Sequence, residues 1–275
     1  MEILGTSDAG QLDPLQYPWD PPPTSGVING NDFLPLQLAA GRPLARSRLR
    51  DRAEDSLTSC CLDKALDEAG AAPLDSRVLV VSIGSNSSPD VLRSKFAKYR
   101  QPVSRILPLI RGKLHNIGVG HSAHVSKAGY IAAAPYFRMG ERTTVWVSWL
   151  DWRQLMALDE TEPNYRRIQL DGDACPLVVD NGECPEAFSL FTSRWGVLTD
   201  GNGEKLPFLD QPALFRLLAG SGSRDGLKDA HSVFEGPPER VLEQLRMPAV
   251  QAWAKEWFRA AGFAAQVPFD GLTKI

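Results

Sequence analysis

The sequence predicts an α+β fold in which a strand-rich core lies between two extensions. Between residues 77 and 198, β-branched and aromatic residues cluster in short runs that favour strands. After residue 199, apolar residues recur at helical spacing between glycines. Repeated prolines in residues 1–43 predict an irregular arm or tail. We therefore divide the chain into an N-terminal arm and helix (1–76), a core (77–198) and a C-terminal helical extension (199–275).

The core begins with a strand that runs into a helix. Val78–Ile83 is a nearly unbroken β-branched run, which is typical of a strand buried on both faces. Gly84–Asp90 follows as a tight turn, in which Ser87 or Ser88 can cap a helix and Pro89 suits its first turn. The same patterns predict a helix within 43–70, strands at His115–His121, Tyr130–Ala134, Thr143–Leu150 and Arg166–Leu170, and helices at 211–219, 237–246 and 248–262.

A second helix in the core ends beside a carboxylate. Asp151 opens a D-x-x-Q capping box, and Pro163 stops the helix that follows. Because the residue before a proline avoids helical geometry, we expect Glu162 at a helix-to-strand junction, where its side chain can be aimed across a cavity. A single acid near a helix end is more often solvated, and we interpret Asp159 and Glu160 in that way.

The strand-to-helix turn is a candidate anion site. A chain that leaves a strand, bends and enters a helix presents several unpaired backbone N–H groups together, at the positive end of the helix dipole. Gly84 allows close approach of a ligand, and Ser85 and Asn86 add side-chain donors. The turn is neither a Walker loop nor G-x-G-x-x-G, and an ordinary strand-to-helix connection could have the same sequence.

Composition argues against several classes of protein. The formal net charge of −3 offers no general attraction for nucleic acid. No apolar run approaches the ~18 residues that a membrane-spanning helix requires, and the N-terminus lacks the basic and apolar regions of a signal peptide, so we expect a cytoplasmic protein. The four cysteines form no C-x-x-C pair and are expected to be reduced structural thiols.

A basic segment and three histidines leave alternatives open. Residues 91–140 contain nine Lys or Arg and no Asp or Glu. This region suits a small anion better than a polynucleotide, because it lacks the interleaved exposed aromatic residues of single-strand binders. Several solvated faces that happen to lack acids would explain the charge pattern equally well.

His121 and His124 are three apart, on opposite faces of a strand, with no nearby carboxylate or thiol, so no metal site is expected. With His115, they are interpreted as structural residues or substrate-side donors.

Four sequence pieces, taken in order over roughly residues 77–195, resemble the γ-glutamylcyclotransferase-like superfamily. They are Ile83-Gly84-Ser85-Asn86, where the family usually has Tyr-Gly-Ser-Asn, then Gly129-Tyr130-Ile131-Ala132, then Leu158-Asp159-x-x-Glu162 after the strand Val145–Leu150, and finally Tyr165-x-Arg167. The resemblance implies a small mixed β-barrel-like core with few helices.

The resemblance also implies a reaction. Members of this superfamily close a γ-glutamyl group onto its own α-amine, which releases 5-oxoproline and an amine or amino acid. Glu162 would be the catalytic acid/base, taking the proton of the α-ammonium and passing one to the leaving nitrogen. The Ile83-Gly84-Ser85-Asn86 turn would bind the glutamyl carboxylate and carbonyl, with Tyr165 packed nearby. The implied partner is a small anionic γ-glutamyl substrate, with no metal or cofactor.

Other functions remain open. Ile83 replaces the family's usual tyrosine and removes a phenol, which favours a non-catalytic relative that binds a small anionic metabolite and, through its extensions, a protein. The presence of Glu162 favours the enzyme. Nucleic-acid binding is a third hypothesis with less support, and it predicts an affinity that falls steeply as the salt concentration rises. Either extension could form a lid, an oligomer contact or a surface for a protein partner.

Overall fold

One nine-stranded, mostly antiparallel sheet carries the fold, and a computed structural model describes it for residues 12–50, 60–99, 101–221, 233–266 and 269–273. Its strands are β1 (Gly26–Asn29), β2 (Asp32–Gln37), β3 (Arg48–Leu49), β4 (Val78–Ser82), β5 (Ile106–His121), β6 (Ala133–Leu150), β7 (Tyr165–Asp171), β8 (Leu177–Val179) and β9 (Ala187–Ser193). A small sheet pairs β10 (Val197–Leu198) with β11 (Ala264–Ala265).

Six α-helices accompany these strands in the described part of the chain. They are α1 (Leu62–Glu68), α2 (Pro89–Ala97), α3 (Trp152–Glu160), α4 (Gln211–Ser221), α5 (Pro238–Leu245) and α6 (Pro248–Ala260). The last three confirm the helices predicted in the C-terminal extension. The mixed α+β class is therefore confirmed.

The sheet is open, which corrects the barrel-like core that the resemblance implies. Its strand order is β3-β2-β1-β5-β6-β4-β9-β7, with β8 paired to β5, and β4–β9 is its parallel pair. A barrel closes only when its two edge strands pair. Here β3 and β7 lie at opposite ends of the strand order, and no pairing joins them within the described residues. Closure depends on long-range pairing, which local sequence patterns do not encode.

Part of the N-terminal segment belongs to this sheet, so the prediction of irregular structure throughout residues 1–43 is wrong. Gly30, at a φ of 60°, joins β1 and β2 in a hairpin, and β1 continues into the sheet by antiparallel pairing with β5. Burial of Val27 and Ile28 against the sheet outweighs the prolines around them. The helix predicted within 43–70 is limited to α1, since residues 44–49 form a 3₁₀ turn and β3, and residues 51–59 lie outside the described residues.

The core strand β4 is buried on both faces, as predicted. Val80 and Val81 point to opposite faces of the sheet and are 0% and 1% exposed. Val80 packs with Leu92 of α2 and Leu158 of α3, while Val81 packs in the cluster that contains Leu66 of α1. Helices on both faces therefore hold the strand that leads into the predicted site.

The C-terminal helices form a separate apolar cluster beside the sheet. Phe215, Phe234 and Phe258 are fully buried in it. The cluster also includes Ile131, from the loop between β5 and β6, and Leu15, from the N-terminal segment. The two extensions thus meet over one loop of the core.

Membrane helices and metal clusters are both absent from the described part of the chain. Within the ranges given above, no helix is both long and apolar enough to cross a bilayer. Over those same ranges, His, Cys, Asp and Glu side chains form no group of three that could hold a metal ion. The four cysteines are all free thiols.

Candidate active site

The turn after β4 is compact, and its glycine is required by a close contact. A 3₁₀ turn at Ser85–Ser87 joins Gly84 to α2. A Cβ atom added to Gly84 would lie 2.5 Å from the hydroxyl oxygen of Tyr17 and 3.1 Å from the Cβ of Ala133. No real side chain tolerates the first distance, so glycine is needed here for space.

The backbone N–H groups of the turn differ in their partners. The amides of Ser87 and Ser88 donate to the carbonyls of Gly84 and Ser85, at 2.9 and 3.1 Å. The backbone N–H groups of Ser85 and Asn86 have no backbone acceptor in the described structure, and the Ser85 N–H interacts with the Tyr17 hydroxyl oxygen. The Asn86 N–H, in the 3₁₀ turn that precedes α2, is therefore the donor that can bind an anionic group of a ligand.

Glu162 stands at the predicted helix-to-strand junction. The capping box of α3 is present, since Gln154 N–H donates to Asp151 at 2.9 Å and the Gln154 side chain accepts from Asp151 N–H at 3.1 Å. The helix ends at Glu160, and Tyr165 N–H donates to the Glu162 carbonyl across Pro163 at 3.0 Å. The chain therefore turns into β7 with the Glu162 side chain directed inward.

An ion pair fixes this junction. Both Asp159 carboxylate oxygens accept from Arg167 of β7, each at 3.0 Å. Bidentate pairing of this kind adds geometric specificity as well as energy. Asp159 therefore links the end of α3 to β7, which corrects its interpretation as a merely solvated acid.

Three polar side chains form what we call the charged wall: Asn86, Lys95 and Glu162. Glu162 Oε1 accepts from Asn86 Nδ2 at 2.9 Å and from Lys95 Nζ at 2.5 Å. Lys95 Nζ also donates to Asn86 Oδ1 at 2.7 Å. The Lys95 and Glu162 side chains are only 17% and 12% exposed, so the pair lies largely out of solvent.

Facing it is what we call the aromatic wall: Tyr17, Trp19 and Tyr130. Tyr17 stacks on Tyr130 with ring centroids 4.6 Å apart, and Trp19 meets both rings edge-on. Tyr130 was predicted to begin a strand, but β6 begins only at Ala133, and the residues before it form a loop over the pocket.

The backbone of one residue, Ala133, connects two phenols of the site. The Ala133 N–H donates to the Tyr17 hydroxyl oxygen at 2.7 Å, and the Tyr165 hydroxyl donates to the Ala133 carbonyl at 2.8 Å. Burial, with a smaller contribution from the Glu162 charge, raises the pKa of Tyr130 to about 12. Burial likewise raises the pKa of Tyr17 and of Tyr165 well above the ordinary value. All three phenols therefore stay protonated at neutral pH.

Two buried histidines support the pocket. His124 lines it, and its Nδ1 lies 2.5 Å from Ser122 Oγ. His121 accepts a hydrogen bond from the backbone of Leu209 at 3.0 Å. Burial lowers the pKa of His121 to about 4 and that of His124 to about 3, where the positive charge of Lys255 adds to the effect. Both imidazoles are therefore neutral at pH 7.

The charged wall, with Tyr17 and Tyr130 of the aromatic wall, lines a cavity of about 420 Å³. Every site residue predicted from the sequence lines it: Ile83, Gly84, Ser85, Asn86, Glu162 and Tyr165. The structure thus brings together the turn and the carboxylate, which are 76 residues apart in the Asn86–Glu162 contact.

The sequence reasoning missed Lys95 and Tyr17 as site residues. Lys95 appeared only as one of nine cations in the basic segment. Four of these cations pair with acids: Arg93 with Asp90, Lys95 with Glu162, Arg111 with Asp180 and Arg138 with Glu141. No pattern singled out Tyr17, whose partner Ala133 is 116 residues away.

Comparison with known proteins gives structural matches at low identity. One is a γ-glutamyl cyclotransferase, with a TM-score of 0.36, 12% identity and coverage of 65% of this chain and 98% of that chain. An uncharacterised protein from Homo sapiens matches with a TM-score of 0.35 and 14% identity, over 61% of this chain and 99% of that chain. A protein from Arabidopsis thaliana matches with a TM-score of 0.31 and 15% identity, over 42% of this chain and only 61% of its own length.

One matched structure bears the name of the family that the sequence resembles. No family model matches the chain, and no curated protein matches it in sequence.

Proposed function

We propose that this protein is a γ-glutamylcyclotransferase-type enzyme that releases 5-oxoproline from a γ-glutamyl amide or peptide. The observation that carries the proposal is the shared cavity, in which the Glu162 carboxylate contacts Asn86 of the turn at 2.9 Å. Amides without a backbone acceptor lie in the same turn. The ordered sequence motifs support the same reaction.

The charged wall suits a zwitterionic glutamyl group. A substrate ammonium placed beside Glu162 and a substrate carboxylate placed beside Lys95 and the turn amides would each meet opposite charge. Lys95 would then pass from Glu162 to the substrate carboxylate, which frees Glu162 to accept a proton. The nearly buried position of the pair strengthens this exchange, because charges interact more strongly away from water.

The reaction then requires that the substrate is held in a folded conformation and that one side chain, Glu162, transfers protons. Glu162 takes a proton from the α-ammonium, and the resulting amine attacks the γ-carbonyl carbon within the same molecule. As the tetrahedral intermediate collapses, Glu162 returns its proton to the leaving nitrogen and the C–N bond to that nitrogen breaks. The Glu162 carboxylate then accepts the second proton of the former α-amine, which keeps one hydrogen as the lactam N–H. Holding both reacting groups in one geometry supplies a large part of the rate.

One observation favours the alternative, a non-catalytic module that binds a small anion. Glu162 Oε1, one of the two carboxylate oxygens, is occupied by Lys95 at 2.5 Å and by Asn86 at 2.9 Å. An ion pair that persisted with ligand bound would keep this oxygen from acting as a base. The two functions therefore differ in whether the ligand displaces Lys95 from Glu162.

Turnover measurements distinguish the two functions. Purified protein is incubated with γ-glutamyl dipeptides, γ-glutamylamines and glutathione, and 5-oxoproline is followed. We expect turnover that Glu162→Gln lowers at least about 1000-fold, within the usual 10²–10⁴-fold contribution of one acid/base. Glu243→Gln, an exposed acid of α5 that does not line the cavity, is the control and should retain activity. Ligand binding without turnover of any substrate would instead identify the binding module.

A further inference from the structure

The N-terminal segment reaches the pocket through a short anchored turn, Pro14–Gln16. Asp13 caps this turn by accepting from Leu15 N–H at 3.0 Å, and Trp19 Nε1 donates to the Asp13 carbonyl at 2.9 Å. Leu15 packs into the apolar cluster of the C-terminal helices. The segment is therefore held in place by the other extension, with Tyr17 between its two anchor points.

Tyr17 ends with its hydroxyl at the turn. The residue is 1% exposed, and its oxygen lies so close to Gly84 that no side chain fits there. Stacking on Tyr130 fixes the plane of its ring. A phenol is thus held next to the turn, in the cavity that the charged wall also lines.

The two phenols that contact Ala133 differ in how they use their protons. Tyr165 donates its hydrogen to the Ala133 carbonyl, so it has none left for a ligand. The Tyr17 oxygen accepts from the Ala133 N–H at 2.7 Å and interacts with the Ser85 N–H, and its own hydrogen has no acceptor among the described residues. A buried hydroxyl with an unused hydrogen is costly unless a partner arrives. A ligand oxygen in the cavity is such a partner.

We infer that Tyr17 is a catalytic residue that donates a hydrogen bond to the carbonyl oxygen of the scissile γ-glutamyl amide. When the α-amine attacks, the new N–C bond forms and the carbonyl electron pair moves onto that oxygen. Tyr17 stabilises the oxyanion and keeps its proton. The electron pair returns as the leaving nitrogen departs with the proton from Glu162. This inference rests on the proposed function.

Burial of Tyr17 suits this role, because it raises the pKa of the phenol and keeps it protonated throughout the physiological pH range. The inference also gives both extensions a role. The C-terminal helices hold Leu15, and Leu15 places Tyr17, so residues distant from the core complete the site.

The test compares Tyr17→Phe, which keeps the stacked ring and removes the hydroxyl, with Tyr136→Phe, a matched loss of a phenol outside the cavity. Removal of one oxyanion donor costs about 10²–10³ in kcat, so we expect Tyr17→Phe to lower kcat about 100-fold with KM changed less than about threefold. Tyr136→Phe should keep its kcat. An unchanged kcat in folded Tyr17→Phe overturns the inference.

Two further measurements cover the other outcomes. If Tyr17→Phe fails to melt cooperatively, Leu15→Ala replaces it as the test variant, because it keeps the phenol but loosens its anchor. Its kcat should fall about 10-fold. A kcat equal to that of the wild type would overturn the inference. If the wild type turns over no substrate, the proposed function fails, and binding of 5-oxoproline is measured instead. A Kd at least about tenfold weaker in Tyr17→Phe would still support a donor to the ligand carbonyl. An unchanged Kd, or no binding by the wild type, would overturn it.

Discussion

The charged wall and the aromatic wall of the cavity are built in different ways. The charged wall comes from the turn, α2 and the end of α3, all within the core, and its three members contact one another directly. The aromatic wall combines an N-terminal segment with a loop of the core, and the C-terminal helices hold that segment. Chemistry at the first wall therefore depends on local pairing, whereas the second depends on how the whole chain packs.

Tyr17 of the aromatic wall contacts the turn that carries Asn86 of the charged wall. Tyr17 contacts Gly84 of the turn and Ala133 at the start of β6. A substitution at this contact should affect both walls, whereas a substitution elsewhere should affect only one of them. The following predictions use this difference, starting from the largest expected effect.

Gly84→Ala should break the junction. Its new Cβ would overlap the Tyr17 hydroxyl, and overpacking of this kind costs about 1–3 kcal/mol of the free energy of unfolding. In a Tyr17→Phe background the alanine should cost less, because the next Tyr17 atom is 3.7 Å away. The double-mutant cycle, measured by urea unfolding, should show coupling of about 1 kcal/mol or more.

The matched control for this cycle is Gly220→Ala. Gly220 lies in α4, and a Cβ atom added to it would have no neighbour within 4 Å, so alanine there should be neutral or stabilise by up to about 1 kcal/mol. Additive effects of the Gly84 and Tyr17 changes would show that the two walls do not interlock.

Acidification should destabilise the protein because of two buried histidines, His124 in the lining of the cavity and His121 beside Phe208. Unfolding returns His121 and His124 to a pKa near 6.5, whereas burial holds them near 4 and 3. Below pH 6.5 the unfolded state therefore binds more protons, and stability is lost as the pH falls. From pH 7.5 to 5.5 we expect the two together to lower the free energy of unfolding by about 2–3 kcal/mol.

Urea unfolding at the two pH values measures this loss. His121→Asn and His124→Asn should each reduce the difference between the two pH values, whatever they do to stability itself. His115→Gln, a partly exposed residue on the same strand as His121, should leave the difference unchanged. An identical pH dependence in all three variants would contradict the assignment.

Local signals explain why the charged wall was largely predictable. A β-branched run, a helix cap and the proline after Glu162 each act within a few residues, and together they fix where Asn86 and Glu162 emerge. Lys95 was missed because only the tertiary contact distinguishes it from other cations on the helix. Tyr17 was missed because its position depends on packing between both extensions.

The same reasoning applies to the fold. The buried strand β4 and the C-terminal helices follow from hydrophobic patterns, and both were predicted. The β1–β2 hairpin was not predicted, since its short apolar stretch is stabilised by pairing with β5, which begins at Ile106. Whether a sheet closes also depends on which distant strands pair. Periodicity determines which face of an element is buried, but it does not select the partner.

Lys95→Met should weaken substrate binding without affecting the aromatic wall. We expect KM for γ-glutamyl substrates to rise about tenfold, in line with the strength of one hydrogen bond to a charged group, and Lys95→Arg to retain part of the affinity. Lys98→Met, at an exposed position one residue beyond α2, is the control. The decisive comparison uses 4-aminobutanamide, which has the same amine and amide but lacks the α-carboxylate. If Lys95 binds that carboxylate, Lys95→Met should leave the KM for 4-aminobutanamide unchanged. An equal rise in KM for both substrates would contradict this role and would mean that Lys95 acts only through its ion pair with Glu162.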